Sequence, residues 1–309
     1  MDIDTNIKIK TTPPLELHTL APRPAETNID NTADIRLGAA YRSLIGAIGY
    51  AAMMTRPDIA YHHAYLSRFS SNPATEHMAA AKHLLCYLKG TASQGITYHR
   101  STEQLQLSVY ADSDYADSDY ASTVYDRCSI SASAAFMNSI SGAIDWSSKK
   151  QPVVAQSSCE AEYYALALAL NDAMFLKLQL PKEFGEPAGD APVTIYQDNQ
   201  GTIALANNPV HHARAKHIDV RAHRVRELIS HGDIQLIYVP TDYMVADALT
   251  KSLPRPKHSI TLRGDHGATT PSSSGGVESQ HDSELHRRPF PSFLDRTFQK
   301  HPEAAAPRL

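Results

Sequence analysis

Cysteine is scarce and widely spaced in this 309-residue chain, which contains only Cys86, Cys128 and Cys159. No two of them form a C-x-x-C pair, so the sequence offers neither a disulfide framework nor the ligand spacing of a zinc ribbon. A reducing compartment is therefore the simpler expectation.

Excess basic charge and long apolar runs are also missing. The chain has 29 Lys and Arg against 33 Asp and Glu, a formal net charge of -4, which excludes a general nucleic-acid coat and leaves only local contacts. The longest apolar run, LIGAIGYAAMM at 44–54, is shorter than the roughly 20 residues that a membrane-spanning helix needs. The start, MDIDTNIKIK, lacks the layout of a secretory signal, and we expect a soluble protein.

Composition and periodicity divide the chain into four segments. Residues 1–38 are rich in Pro, Thr and Asn and are predicted to be a poorly ordered lead-in. Residues 39–100 have helical periodicity, and residues 101–257 alternate between strand and helix patterns. Residues 258–309 are rich in Pro, Ser and His without an apolar period, which predicts a disordered tail.

The third segment has the pattern of an α/β domain. A long helix is predicted from Ser158 to Leu180, and the overall order is β, β, β, α, β, α, β, α. The predicted strands are QLQLSVYAD, SISASAAFMN, GAIDWSS, VTIYQD and QLIYVP. Function is expected in this domain.

Acidic residues recur where these elements begin or end. Asp112 closes the first strand, Asp198 closes the fourth, Glu162 lies early in the long helix, and Asp247 follows the last strand. Four carboxylates could converge on one point, and such a cluster is costly unless cations neutralise their repulsion. Magnesium prefers such oxygen ligands, and a pair of ions about 4 Å apart can activate water and stabilise the leaving oxygen of a phosphodiester.

Each acid also has a plain structural interpretation. Ser157 and Glu160 form a predicted capping box, so Glu162 is left on an apolar stripe, where it either binds metal or complements the helix dipole. Its position alone leaves both interpretations open. Asp198 could cap the next helix and Asp247 could be a solvated first-turn acid, and singly these are the stronger interpretations. Their joint order along the chain favours a metal site.

Several long stretches carry a family resemblance. YADSDYA, IDWSSKKQPVVAQSSCEAEYYAL, IYQDNQGTIALANN and YVPTDYMVADALTKSLPRPK resemble the ribonuclease H domain of copia-type LTR retrotransposon Pol polyproteins. The helical stretch that begins YRSLIGAIGYAAMMTRPDIAYHHAYLSRF is similar to the segment that joins reverse transcriptase to that domain, and the resemblance covers residues 39–257. There is no Tyr-x-Asp-Asp motif, so polymerisation is not expected.

The resemblance implies a ribonuclease H-like α/β fold, a mixed five-stranded sheet flanked by helices. It implies magnesium-dependent endonucleolytic hydrolysis of the RNA strand of RNA/DNA hybrids by two Mg²⁺ ions, with Mn²⁺ as an alternative, leaving a 5′-phosphate. The implied catalytic and metal-binding acids are Asp112, Glu162, Asp198 and Asp247. Expected partners are the hybrid, reverse transcriptase and other parts of the same polyprotein, with no membrane. The expected location is the cytoplasm, with virus-like particles and the nucleus as alternatives.

The five-residue unit YADSD is written twice in YADSDYADSDYA at 110–121, as a tandem duplication would leave it. Asp112 and Asp117 are an odd number of residues apart, so on one continuous strand they would face opposite sides of the sheet. We favour Asp112, with Asp117 as the alternative, because the strand before Asp112 is intact. Five extra residues fit more easily into the loop that follows.

Local basic surfaces are the candidates for substrate contact. In ARAKHIDVRAHRVRELI the apolar residues share one helical stripe and basic residues face away from it, a pattern that a merely solvated face would also show. Backbone groups near Asn199 and Gln200 are candidates for 2′-hydroxyl contact. The predicted nucleic-acid-binding residues are Lys149, Lys150, Asn199, Gln200, Lys216, His217, Arg221 and Arg224.

A second hypothesis is a decayed, inactive transposon fragment that at most binds nucleic acid. The duplicated YADSD unit, the missing polymerase motif and the unrelated tail favour it. The presence of all four acids favours the active nuclease.

Overall fold

The computed structural model describes residues 9–24, 32–98, 106–115, 127–138, 142–184, 191–207 and 219–253. The helices are α1 (Thr32–Met54), α2 (Ala60–Ser67), α3 (Thr75–Gly90), α4 (Ser158–Phe184), α5 (Gln200–Asn207) and α6 (Asp219–Ser230). The strands are β1 (Leu107–Asp114), β2 (Ile130–Met137), β3 (Ala143–Lys150), β4 (Val193–Gln197) and β5 (Ile234–Tyr238). Short 3-10 helices span Leu17–Thr19, Pro57–Ile59, Thr241–Tyr243 and Val245–Leu249.

The five strands form one mixed sheet in the order β3-β2-β1-β4-β5. β1, β2 and β3 pair antiparallel, whereas β4 pairs parallel with both β1 and β5. The predicted ribonuclease H-like fold, a mixed five-stranded sheet flanked by helices, is confirmed by this order. Because β1 and β4 are parallel neighbours, the residues at their carboxyl ends lie at the same edge of the sheet.

The element order differs from the prediction in two places. Among the described residues between β4 and β5 there are two helices, α5 and α6, where one was predicted. The last predicted helix is the 3-10 helix Val245–Leu249, in which Asp247 N–H donates to Met244 O at 3.3 Å. Five residues are too few for a stable α-helix, so tighter bonding closes the turn.

Helix α4 covers one face of the sheet with an apolar stripe. Leu166, Ala169 and Ala173 are buried on it against Val109 and Ile195 of the central strands. The stripe is the one that the sequence pattern predicts, and its alanines let the helix approach the sheet closely. Ser157 Oγ accepts the Glu160 N–H at 3.2 Å, which confirms the predicted cap at the start of α4.

The opposite sheet face is covered by the segment that follows β5. Leu249 and Val245 pack there with Ala134 and Phe136, whose side chains alternate with those facing α4. The helical unit α1–α3 lies beside this layer, with a core of its own that includes Tyr41 and Leu66. The Val245–Leu249 turn is therefore held between the sheet and the helical unit.

The helical unit begins earlier than its periodicity predicts. α1 starts at Thr32 rather than at Ala39, and Leu17, within the predicted lead-in, is buried in the helical core. Proline lowers helix propensity around Leu17 but does not prevent a single apolar anchor from packing. The boundary predicted at residue 38 for the poorly ordered lead-in is therefore too late, because α1 begins at Thr32. The predicted tail at 258–309 lies outside the described residues.

A buried polar network ties the end of α1 to the end of α3. The Arg56 guanidinium pairs with Asp58 through two hydrogen bonds of 2.7 and 2.8 Å. Arg56 also donates to the Thr91 carbonyl and hydroxyl oxygens, and the Tyr87 hydroxyl donates to Asp58 at 2.7 Å. Because each buried charge is paired and hydrogen-bonded, the network closes the helical unit instead of weakening it.

Candidate metal centre

Asp112 lies in the carboxyl-terminal half of β1, with its side chain almost fully buried. Thr250 Oγ1 donates to Asp112 Oδ2 at 2.9 Å. The threonine follows the Val245–Leu249 turn, so this turn fixes the orientation of a carboxylate on the central strand.

Glu162 approaches the same point from the first turns of α4 and is 7% exposed. Among the residues that the structure describes, its Oε2 has no hydrogen-bond partner. The interpretation as a residue that merely complements the helix dipole is disfavoured, because a solvent-facing acid would serve that purpose without burial. A buried carboxylate oxygen of this kind is suited to bind a cation.

Asp198 follows directly after β4. Gln197 Oε1 accepts the N–H groups of Asp198 at 2.8 Å and of Asn199 at 3.2 Å, which holds the turn, and Thr241 Oγ1 donates to Asp198 Oδ2 at 2.7 Å. The cap of α5 is Asn199, whose Oδ1 accepts the Thr202 N–H at 3.0 Å. The alternative in which Asp198 itself caps this helix is therefore wrong.

These three carboxylates meet at the edge of the sheet. Asp112, Glu162 and Asp198 each place one oxygen within 4.8 Å of the other two. Burial, together with the charges of Asp247 and Asp198, raises the pKa of Asp112 to about 7. Burial and the charges of Asp112 and Asp198 raise the pKa of Glu162 to about 10. Hard divalent cations fit this group, because it offers converging carboxylate oxygens that repel one another when they are ionised.

Asp247 borders this group from the Val245–Leu249 turn. It is 5% exposed, and its carboxylate forms an ion pair with Lys251. The alternative of a solvated first-turn acid is therefore wrong. Asp247 is not one of the three acids whose oxygens converge, but its charge reaches Asp112.

Three residues of the centre were missed by the sequence reasoning. Asp114 lies two positions after Asp112 and thus on the same strand face, and its pKa is raised by burial and by Asp247. Lys251 follows Asp247 by four residues, a spacing typical of helical ion pairs. Gln151 is fully buried, and its Nε2 lies within hydrogen-bond distance of Ser113 Oγ, Ser131 Oγ and the Ala161 carbonyl oxygen, which joins β1 and β2 to α4 beside the acids. No sequence signal singles out Gln151.

The predicted nucleic-acid contacts lie on several surfaces. Lys149 and Lys150 are exposed at the end of β3, and register places Lys149 level with Ser113 across two strands, about 10 Å away at ordinary strand spacing. Gln200 is exposed at the start of α5. Arg224 is exposed on α6 and lies 3.7 Å from Glu227. These positions remain predictions for substrate contact.

Some predicted site residues cannot be placed. Asp117, Lys216 and His217 lie outside the described residues, and for Arg221 only the backbone of α6 is described. The choice between Asp112 and Asp117 therefore rests on the position of Asp112 within the cluster.

Curated relatives match about 70% of this chain. No family model matches the chain. The Retrovirus-related Pol polyprotein from transposon TNT 1-94 of Nicotiana tabacum is 36% identical over 221 residues, 71% of this chain and 16% of the relative. The Retrovirus-related Pol polyprotein from transposon RE1 of Arabidopsis thaliana is 38% identical over 215 residues, 70% of this chain and 14% of the relative. The chain belongs to the copia-type retrotransposon Pol polyproteins.

This Pol segment spans about a sixth of the length of the curated relatives that it matches. Among solved structures, it is similar to LC11-RNase H1, isolated from compost by a metagenomic approach, at 16% identity and a TM-score of 0.35. The match covers 47% of this chain and 91% of that one. The fold assignment rests on the order and direction of the strands, not on this superposition. Within its described parts, no helix of the Pol segment has the length and apolarity to cross a bilayer.

Proposed function

We propose that residues 106–253 of this Pol segment carry a divalent-metal-dependent ribonuclease H that hydrolyses the RNA strand of RNA/DNA hybrids. The observation that carries the proposal is the convergence of Asp112, Glu162 and Asp198 from three elements within 4.8 Å. The ribonuclease H-like strand order and the membership in the Pol polyproteins support the same activity. Mg²⁺ is the proposed cation, with Mn²⁺ as the alternative.

The residues of the centre have distinct tasks in this proposal. Asp112, Glu162 and Asp198 would hold the cations, with Asp247 at the border of the site. Divalent cations there supply activation of a water and charge neutralisation at the leaving oxygen. Thr250 and Thr241 each hold one carboxylate by a hydrogen bond, and Gln197 holds the turn that carries Asp198. Water then attacks phosphorus as the bond to the 3′-oxygen breaks, which leaves a 3′-hydroxyl and a 5′-phosphate.

Lysines at the end of β3 are proposed to orient the substrate. Lys149 and Lys150 are exposed on the strand that lies two strands from Asp112, at the same end of the sheet. Phosphate contacts of this kind position a nucleic acid without reading its sequence. The RNA strand would thereby pass over the acidic cluster.

A labelled RNA/DNA hybrid tests the proposal. The purified chain is expected to cut the RNA strand with Mg²⁺ and to stop when a chelator removes the metal, leaving single-stranded RNA and duplex DNA intact. A folded chain that binds the hybrid without cutting it would instead support the decayed fragment. Under both outcomes circular dichroism establishes that the chain is folded.

Thr241→Val is expected to lower the cleavage rate by about tenfold. The substitution removes the hydrogen bond to Asp198 while keeping the shape of the side chain, and loss of such a supporting contact at a metal ligand costs about 10- to 100-fold. The rate is measured at saturating hybrid and Mg²⁺. Thr55→Val, at an exposed position after α1, is the matched control and should keep the original rate. An equal loss in both variants would contradict a positioning role for Thr241.

A further inference from the structure

A lysine ammonium lies among the carboxylates of the proposed centre. Lys251 Nζ forms an ion pair with Asp247 Oδ1, and the Asp247 side chain is only 6% exposed. The Lys251 side chain is 40% exposed, so its outer part reaches solvent. The Asp247 carboxylate is therefore buried in the protein, whereas the Lys251 side chain can move into solvent.

The charge of Lys251 reaches more than one acid. It acts to lower the pKa of Asp112 and of Asp114, against the larger effect of burial that raises both. Burial of Lys251 favours its neutral form, yet Asp247, Asp112 and Asp114 together raise the pKa of the ammonium above its ordinary value. Lys251 thus remains positive and offsets part of the repulsion within the acidic group.

A divalent cation would take over the same electrostatic task. Once a cation of charge +2 lies between the carboxylates, an ammonium beside them adds repulsion instead of neutralisation. The affinity of the centre for metal therefore depends on the free-energy difference between its metal-free and metal-bound states. Lys251 neutralises part of the charge in the first state, and the metal does so in the second.

We propose that Lys251 is a built-in counter-cation of the metal-free centre, which an incoming divalent cation displaces. This inference rests on the proposed function, because it concerns the same metal site. Its consequence is that Lys251 sets the metal concentration at which the centre fills. Lys251 stabilises the metal-free protein and weakens the binding of metal.

The surrounding contacts allow the side chain to leave without moving the backbone. Thr250 Oγ1 is bonded to Asp112 and to the Asp247 carbonyl. On the other side, Ser252 Oγ donates to the Pro14 carbonyl at 3.2 Å and lies 3.3 Å from His62 Nε2. The residues flanking Lys251 are thereby anchored, so displacement needs only rotation of its flexible side chain.

Metal titration of the purified full chain tests the inference. Calorimetry with Mg²⁺, and with Mn²⁺ as a second probe, is expected to show that Lys251→Gln binds metal about three- to tenfold more tightly than the original protein. In chelator the same variant should melt at a lower temperature, and the difference should shrink at saturating Mg²⁺. Lys82→Gln, which removes an exposed lysine from α3, gives the same change in net charge and should leave the dissociation constant unchanged.

Further variants separate the possible failures. Lys251→Met, neutral and similar in length, should behave as Lys251→Gln does, whereas Lys251→Arg should bind metal as weakly as the original protein. A neutral variant that folds only with Mg²⁺ also supports the proposal, but one that loses its fold equally with and without Mg²⁺ overturns it. Equal or weaker metal binding by a folded neutral variant overturns it as well. If the original protein binds no divalent metal, the proposed function fails together with this inference.

Discussion

Asp112→Asn is expected to reduce cleavage of an RNA/DNA hybrid by more than about 100-fold while making the metal-free protein more stable. The amide keeps the shape of the carboxylate and its contact with Thr250, but it removes an ionised oxygen from the three-acid group. Loss of a ligand should cost at least as much as loss of a supporting contact, which is about 10- to 100-fold.

The stabilisation follows from the raised pKa of Asp112. This pKa is about 7 in the folded protein, whereas an unfolded Asp titrates near 3.9. Between those two values the folded state binds more protons than the unfolded state, so the free energy of unfolding falls as pH rises through this window. At pH 8 Asp112 is ionised, and its charge lowers the free energy of unfolding by the full amount. In chelator, Asp112→Asn should therefore raise the free energy of unfolding by about 1–3 kcal/mol.

Urea unfolding at pH 5 and pH 8 measures this effect. The gain from Asp112→Asn should be larger at pH 8, and added Mg²⁺ should stabilise the original protein but not the variant. Asp117→Asn is the matched control, since it changes the second copy of the same repeat. If Asp117→Asn abolishes cleavage and Asp112→Asn does not, the second copy supplies the ligand.

Asp58→Ala is expected to destabilise the chain by about 3–5 kcal/mol. The substitution leaves the buried Arg56 guanidinium without its carboxylate partner and deprives the Tyr87 hydroxyl of its acceptor. An unpaired charge in a buried site costs far more than the pair contributes. The decrease should appear as a lower midpoint of urea unfolding with an unchanged slope.

Asp34→Ala provides the comparison for this prediction. Asp34 also receives two hydrogen bonds from one arginine, Arg23, but both side chains remain 20% exposed. Water can replace the lost partner there, so the effect should be much smaller. Equal losses of stability in the two variants would show that burial of the Arg56 and Asp58 pair has no special importance.

The sheet was predictable because its determinants are local. Period-two alternation marks β1, and the stripe that Leu166 and Ala173 share marks the buried face of α4. The burial of Leu17 was not predictable, because it depends on contacts with helices distant in sequence. Periodicity also does not distinguish a 3-10 turn from a short helix, which explains the different form of Val245–Leu249.

The site was predictable as a set of acids but not as a network. Asp112 near the carboxyl end of β1 and Asp198 directly after β4 lie at one edge because these strands are parallel neighbours, which the alternating pattern indicates. The supporting contacts of Thr241, Thr250 and Gln151 depend on side-chain directions that a pattern does not carry. Motif resemblance proposed four acids, three of which have converging oxygens in the structure, whereas the ion pair of Lys251 emerged only from the geometry.

The junction between the helical unit and the sheet contains the single tryptophan of the chain. Its indole Nε1–H donates to the Ala52 carbonyl at 2.8 Å, at the end of α1, from a position on β3. Excitation of this indole therefore reports on one place, the contact between the two parts of the molecule. Separation of the helices from the sheet would hydrate the ring and shift its emission to longer wavelength, so the protein carries an intrinsic optical probe of its own assembly.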